Sequence, residues 1–105
     1  MNSQFKKGVV EMCVLNLVCQ KDRYGYELIE TISKEIEISE GTIYPILRRL
    51  TKDGYFDTYL KESTGGPPRK YYKITKTGEE ASQEMKSDWM EFGQKIKRLL
   101  NNEGV

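Results

Sequence analysis

The sequence predicts a mainly α-helical chain with one small β-hairpin, arranged as a winged helix-turn-helix with a long C-terminal dimerisation helix. Three observations predict it. Two helical segments meet across a tight turn at Glu37-Ile38, and the second of them runs from Ser39 to a closing Gly54. Two aromatic-rich runs follow at once, Tyr55 to Glu62 and Arg69 to Thr75, joined by Ser63-Thr64-Gly65-Gly66-Pro67-Pro68. Beyond them the apolar residues Ala81, Met85, Trp89, Phe92, Ile96 and Leu99 recur at spacings of 4, 4, 3, 4 and 3, the pattern of a coiled-coil seam. At 105 residues the chain is one unit of modest core, divided into residues 1–76, the winged part, and 77–105, the dimerisation helix.

The first helix is expected over Phe5 to Gln20. From Val9 onward it is apolar nearly all round, which predicts a central, buried element. Lys21-Asp22-Arg23 is a polar break, and a second helix is expected from about Tyr24 to Ile36, with Leu28, Ile29, Ile32 and Ile36 at helical spacing. Gly25, in its first turn, permits close approach of a neighbour. Ser39 is an N-cap whose hydroxyl can accept an orphan backbone N–H of the third helix. In that helix Ile43, Leu47 and Leu50 form a core stripe, and Pro45 removes one backbone bond, so a small irregularity is expected near Gly41 to Pro45. The glycine-proline turn predicts a mobile hairpin tip. Thr75 or Thr77 caps the last helix, which runs to about Leu100, and residues 101–105 are expected to fray.

Composition excludes several classes of function. No apolar run approaches the ~20 residues that cross a bilayer, so no membrane partner is expected. Met1-Asn2-Ser3-Gln4 lacks the character of a signal peptide, which points to the cytoplasm. Without histidine, and with Cys13 and Cys19 six apart on one helix, there is neither a zinc pattern nor an intrachain disulfide, and no cofactor is called for. The same absence leaves no base for a triad, and Glu79-Glu80 at a helix start is explained by the macrodipole; enzymatic function is not expected.

Net charge is only +1, but it is unevenly placed. Residues 39–76 carry eight basic against four acidic side chains, a local surplus of the kind a nucleic-acid-binding face requires. Ser39, Gly41, Thr42, Tyr44, Arg48 and Arg49 are the candidates for major-groove and backbone contacts, with Lys61, Arg69 and Lys70 on the wing. The bland alternative is a solvated face on a structural helix. Of the adjacent Tyr71 and Tyr72, one is expected in the core. Met85, Trp89, Phe92, Ile96 and Leu99 form the seam, and a seam tryptophan near a two-fold axis is either a packing residue or one wall of a slot for planar molecules.

Glu40-Gly41-Thr42-Ile43-Tyr44-Pro45-Ile46-Leu47-Arg48-Arg49-Leu50 resembles the recognition helix of PadR-type transcriptional regulators. Tyr24-Gly25-Tyr26-Glu27-Leu28, the wing run Gly65 to Tyr72 and the junction Ile74-Thr75-Lys76-Thr77-Gly78 fit the same family in order and spacing. The resemblance implies a homodimeric repressor that reads a near-palindromic operator in double-stranded DNA. The single helix after the wing is similar to the family's compact branch, which includes the lactococcal multidrug-responsive regulator. That branch implies a small planar aromatic ligand beside Trp89. Two alternatives stay open: a winged-helix protein-interaction module without DNA recognition, and a thiol-based sensor acting through Cys13 or Cys19.

Overall fold

Val10, Val14, Leu15 and Val18 give the first helix an unbroken apolar face, and all four are fully buried. This helix, α1 (Ser3–Gln20), touches most of the other elements. The computed structural model describes residues 3–101, with side chains from Gly8 onward. After α1 come β1 (Arg23–Tyr24), α2 (Gly25–Ser33), α3 (Glu40–Lys52), β2 (Phe56–Ser63), β3 (Gly66–Ile74) and α4 (Lys76–Leu100). Leu28 and Ile32 of α2, Ile43, Ile46, Leu47 and Leu50 of α3, Phe56 of β2 and Tyr72 of β3 complete one core. The stripe expected on α3 is therefore present, and wider by Ile46.

The strands form an antiparallel sheet in the order β1-β3-β2. The short strand β1 falls in the expected polar break, where two residues are too few to show a period. Arg23 pairs with Tyr72 and Tyr24 with Tyr71. The Arg23 side chain is only 8% exposed. Its Nε donates to the Leu17 carbonyl at 2.8 Å and its Nη2 to Gln20 Oε1 at 3.0 Å, so a cation occupies the carbonyl end of α1.

Four details depart from expectation. α2 stops at Ser33 rather than Ile36; the chain leaves it through a turn in which the Ile36 N–H still reaches the Ile32 carbonyl (2.8 Å). Ser39 does stand at the N-cap of α3, but its hydroxyl makes no capping bond; the Ser39 carbonyl instead accepts from the N–H groups of Thr42 and Ile43. α3 runs unbroken through Pro45. The hairpin turn is only Thr64-Gly65, with Gly65 at φ 74°, while Gly66-Pro67-Pro68 belong to β3; these prolines sit near the tip, where ladder bonds end. An irregularity between Lys61 and Ser63 shifts the register by one.

The two ends of the wing are fastened by backbone geometry. Gly54, at φ 84°, closes α3: its N–H donates to Thr51 O and the Tyr55 N–H to Leu50 O, the double closure of a Schellman turn. Thr75 caps α4 as expected, its Oγ1 accepting from Gly78 N at 3.0 Å and donating to Gly54 O at 2.7 Å. One hydroxyl thus joins the end of the third helix to the start of the last. Of residues 101–105, expected to fray, Asn101 closes α4 with its N–H on the Lys97 carbonyl (3.0 Å), and 102–105 lie outside the described residues. No helix among the described residues is long and apolar enough to cross a membrane.

Candidate nucleic-acid interface

With Ile43, Ile46, Leu47 and Leu50 inward, a 3.6-residue period turns Gly41, Pro45, Arg48 and Lys52 outward, at i, i+4, i+7 and i+11. All four are exposed, as are Ser39 and Glu40 at the helix start. Thr42 and Tyr44 lie half-buried on opposite flanks. Tyr44 leans over Gly25 of α2: a Cβ built on that glycine would lie 2.6 Å from Tyr44 Cε1. The close neighbour that Gly25 was expected to admit is this ring.

Arg49 departs from the group in which the sequence placed it. It lies on the flank facing α1, where its Nη2 donates to Glu11 Oε2 at 2.6 Å. That ion pair braces α3 against α1, and the guanidinium is turned from the line of Arg48. The signal was in the spacing, since Arg49 follows Thr42 by seven residues, not Gly41.

On the wing, side chains alternate between the sheet's two faces. Tyr72 faces inward, its ring edge-on to Phe56 at 5.9 Å, and Tyr71 outward, as the adjacent pair led one to expect. The outward face is a tyrosine ladder across all three strands: Tyr24 edge-on to Tyr71 (5.4 Å), and Tyr59 stacked on Tyr71 (5.5 Å, 13° between planes). The Tyr59 hydroxyl donates to Asp22 Oδ2 at 2.6 Å, and this bond, with minor help from desolvation, pushes its phenol up to about 12. The wing cations rest on tyrosine rings, Lys61 and Arg69 on the outward ladder and Lys70 on the inward Tyr72. Lys61 Nζ lies 5.4 Å from the Tyr71 centroid, Arg69 Cζ 4.5 Å from Tyr24, and Lys70 Nζ 5.9 Å from Tyr72.

Arg48 and the wing converge. Burial pushes the Tyr72 phenol up, Tyr44 pushes it the same way, and Arg48 partly offsets both, so α3 and β3 share one electrostatic environment. Between them lies a cavity of about 400 Å³ lined in part by Tyr26, Tyr44, Arg48, Arg69 and Lys70. Tyr26, on the first turn of α2, was not among the residues the sequence singled out for this face.

The seam residues lie apart from this face. Met85 is packed partly against the core, Ile96 is half-buried, and Trp89, Phe92 and Leu99 are 38%, 54% and 66% exposed. Met85, Asp88, Trp89 and Phe92 form one wall of an open groove of about 400 Å³ whose other wall is Gly8, Val9 and Met12 of α1. Cys13 and Cys19 are half-buried and unbridged; burial pushes the Cys13 thiol up, which lowers its thiolate fraction and with it the reactivity a thiol sensor requires.

Residues 14–84 match the transcriptional regulator PadR-like family. The chain belongs to that family. A PadR-like transcriptional regulator of Bacillus cereus is 42% identical, with a TM-score of 0.84 over 93% of this chain and 97% of that one. A Streptococcus mutans protein of known structure is 33% identical, with a TM-score of 0.87 over 94% and 92%. A Lysinibacillus sphaericus protein is 34% identical over 85% of each chain. PadR proteins are DNA-binding transcriptional regulators, not enzymes, and the winged helix-turn-helix found here is their architecture.

Proposed function

We propose that this PadR protein is a cytoplasmic, homodimeric, sequence-specific repressor that a small planar aromatic ligand releases from DNA. In this reading α3 enters the major groove with Gly41, Pro45, Arg48 and Lys52 foremost, Ser39, Thr42 and Tyr44 flank it, and Lys61, Arg69 and Lys70 follow the adjacent phosphates. The observation that carries the reading is the convergence of Arg48, Arg69 and Lys70 on one side of the molecule, where none of them enters an ion pair among the described residues. Arg49 is left out of the contact set because Glu11 engages it.

The exposed stripe of Trp89, Phe92 and Leu99 supports pairing of α4 with a second copy, and the apolar groove beside Trp89 supports a ligand site at that interface. Two half-sites about 34 Å apart must fit one dimer, so a ligand that changes the angle between subunits lowers affinity for the pair. Selection of bound duplexes from a random pool, followed by a salt titration, tests the DNA part. An enriched, near-palindromic motif whose affinity falls steeply with salt is expected. No enrichment, and no binding at low salt, overturns the reading in favour of a protein-interaction module.

A further inference from the structure

The cavity between α3 and the wing joins the cations of the DNA-binding reading to tyrosines and an enclosed volume that this reading does not use. Arg48 enters from α3, and Arg69 and Lys70 from β3. No acidic side chain lines it among the described residues. Two of its cations are held over tyrosine faces, Arg69 over Tyr24 and Lys70 over Tyr72. Ring contacts of this kind leave a cation's charge unneutralised. Tyr24, Tyr26 and Tyr44 also line the cavity, and none of their hydroxyls makes a side-chain hydrogen bond among the described residues. At about 400 Å³ it falls within the range of small-ligand sites. Three convergent cations, neutral hydroxyl donors and flat apolar walls match one chemistry: a phosphate group esterified to a ring-shaped body, sugar or aromatic.

We infer that this cup is a phosphate-ester site, in which Arg48 and Lys70 hold the phosphoryl oxygens, Tyr26 donates a hydrogen bond, and tyrosine faces take the ester's ring. DNA presents such a group at every backbone position, and a free aryl or nucleoside phosphate presents the same group without the duplex. The DNA source rests on the function proposed above; the free-ester source does not. An ester held here covers Arg48, Arg69 and Lys70, so free ester and operator compete directly for the cup, at a place separate from the groove beside Trp89.

The test uses the full chain and four variants: Arg48→Gln, Lys70→Gln, Tyr26→Phe and, as a charge control on α4, Lys86→Gln. Phenyl phosphate and inorganic phosphate are titrated by calorimetry at about 50 mM salt without DNA, and operator affinity is measured across a salt series. Phenyl phosphate is expected to bind more tightly than inorganic phosphate, roughly tenfold more weakly to Arg48→Gln and Lys70→Gln, and several-fold more weakly to Tyr26→Phe, with Lys86→Gln unchanged. For operator DNA, Lys70→Gln is expected to reduce the salt slope by about 0.9, the share of one phosphate, whereas Tyr26→Phe weakens binding several-fold and leaves the slope unaltered. If no free ester binds but both DNA effects appear, the backbone alone supplies the group. If phenyl phosphate does not bind, and Tyr26→Phe binds operator as the parent does, the cup is not a phosphate-ester site, although the parent's operator binding still upholds the regulator. A parent that binds no DNA removes the proposed function, and the calorimetry alone then decides the cup.

Discussion

Replacing Gly25 with alanine tests whether α2 and α3 are held at their separation by Tyr44. The new Cβ would lie 2.6, 2.9 and 3.0 Å from the Cε1, Oη and Cζ of that ring, well inside ordinary van der Waals distance. A half-buried ring has room to retreat outward, so the clash resolves by displacement rather than by unfolding. Overpacking of this kind costs about 1–3 kcal/mol. Against it stands the better helix propensity of alanine, about 1 kcal/mol at most and less at the first helical residue. The net expectation is a loss of about 1–2 kcal/mol. Truncation of Tyr44 to alanine removes the atoms that clash, so Gly25→Ala in that background is expected to be neutral or slightly stabilising. The coupling between the two positions is therefore about 1–3 kcal/mol. Urea unfolding of the parent, both single variants and the double variant, at one fixed protein concentration, measures it. Costs of Gly25→Ala that agree within about 0.5 kcal/mol in the two backgrounds would refute the reasoning.

Three further predictions follow from the same geometry. Gly78→Ala places its Cβ on the Tyr55 carbonyl oxygen, a backbone atom already bonded to Thr75 N, and 2.6 Å from Ile74 Cδ1. The Ile74 methyl can give way but the hydrogen-bonded carbonyl cannot, so a loss above about 3 kcal/mol is expected, and a urea midpoint equal to the parent's would contradict this junction. Arg48→Ala is expected to weaken operator binding at least several-fold more than Arg49→Ala, because Glu11 engages Arg49; equal losses by fluorescence anisotropy would return Arg49 to the contact set. The Tyr59 phenol is raised from its ordinary 10 to about 12 in the folded chain, so the bond to Asp22 contributes fully below pH 10 and is lost as pH rises towards 12. The difference in stability between the parent and Tyr59→Phe should accordingly be constant from neutral pH to about pH 10 and shrink above it; a Tyr59 titrating near 10 would contradict the bond.

The parts of this fold that the sequence disclosed are those written as a period or as a residue with one conformational use. Ile43, Leu47 and Leu50 repeat at the helical interval, and burial follows from repetition alone. Gly54, at a positive φ past the end of α3, is nearly the only residue type that serves its position, Thr75 is one of the few that cap a helix start, and both serve as expected. The parts that stayed hidden depend on a partner distant in sequence. Arg23 reads as a surface charge in a polar break, and only the return of β3 beside it turns it into a buried cation at the end of α1. Arg49 reads as a second basic residue beside Arg48, and only the packing of α1 across α3 brings it Glu11, thirty-eight residues earlier. Ser39 shows the opposite failure: the residue type suits the cap, but the Ser39 carbonyl meets the first N–H groups and leaves the hydroxyl exposed.

These hidden contacts have a common effect on the interface. Each decides which polar groups the fold uses and which remain at the surface. The fold uses Arg23 and Arg49, and it leaves Ser39, Arg48 and, over their tyrosines, Arg69 and Lys70. A basic surplus counted along the chain treats all of these alike. A site for anions is defined by the subset without internal partners, because only those gain when a phosphate arrives. That subset cannot be read from charge spacing; it follows from the accounting of hydrogen bonds in the folded chain, and here it selects the side of the molecule on which α3 and the wing meet.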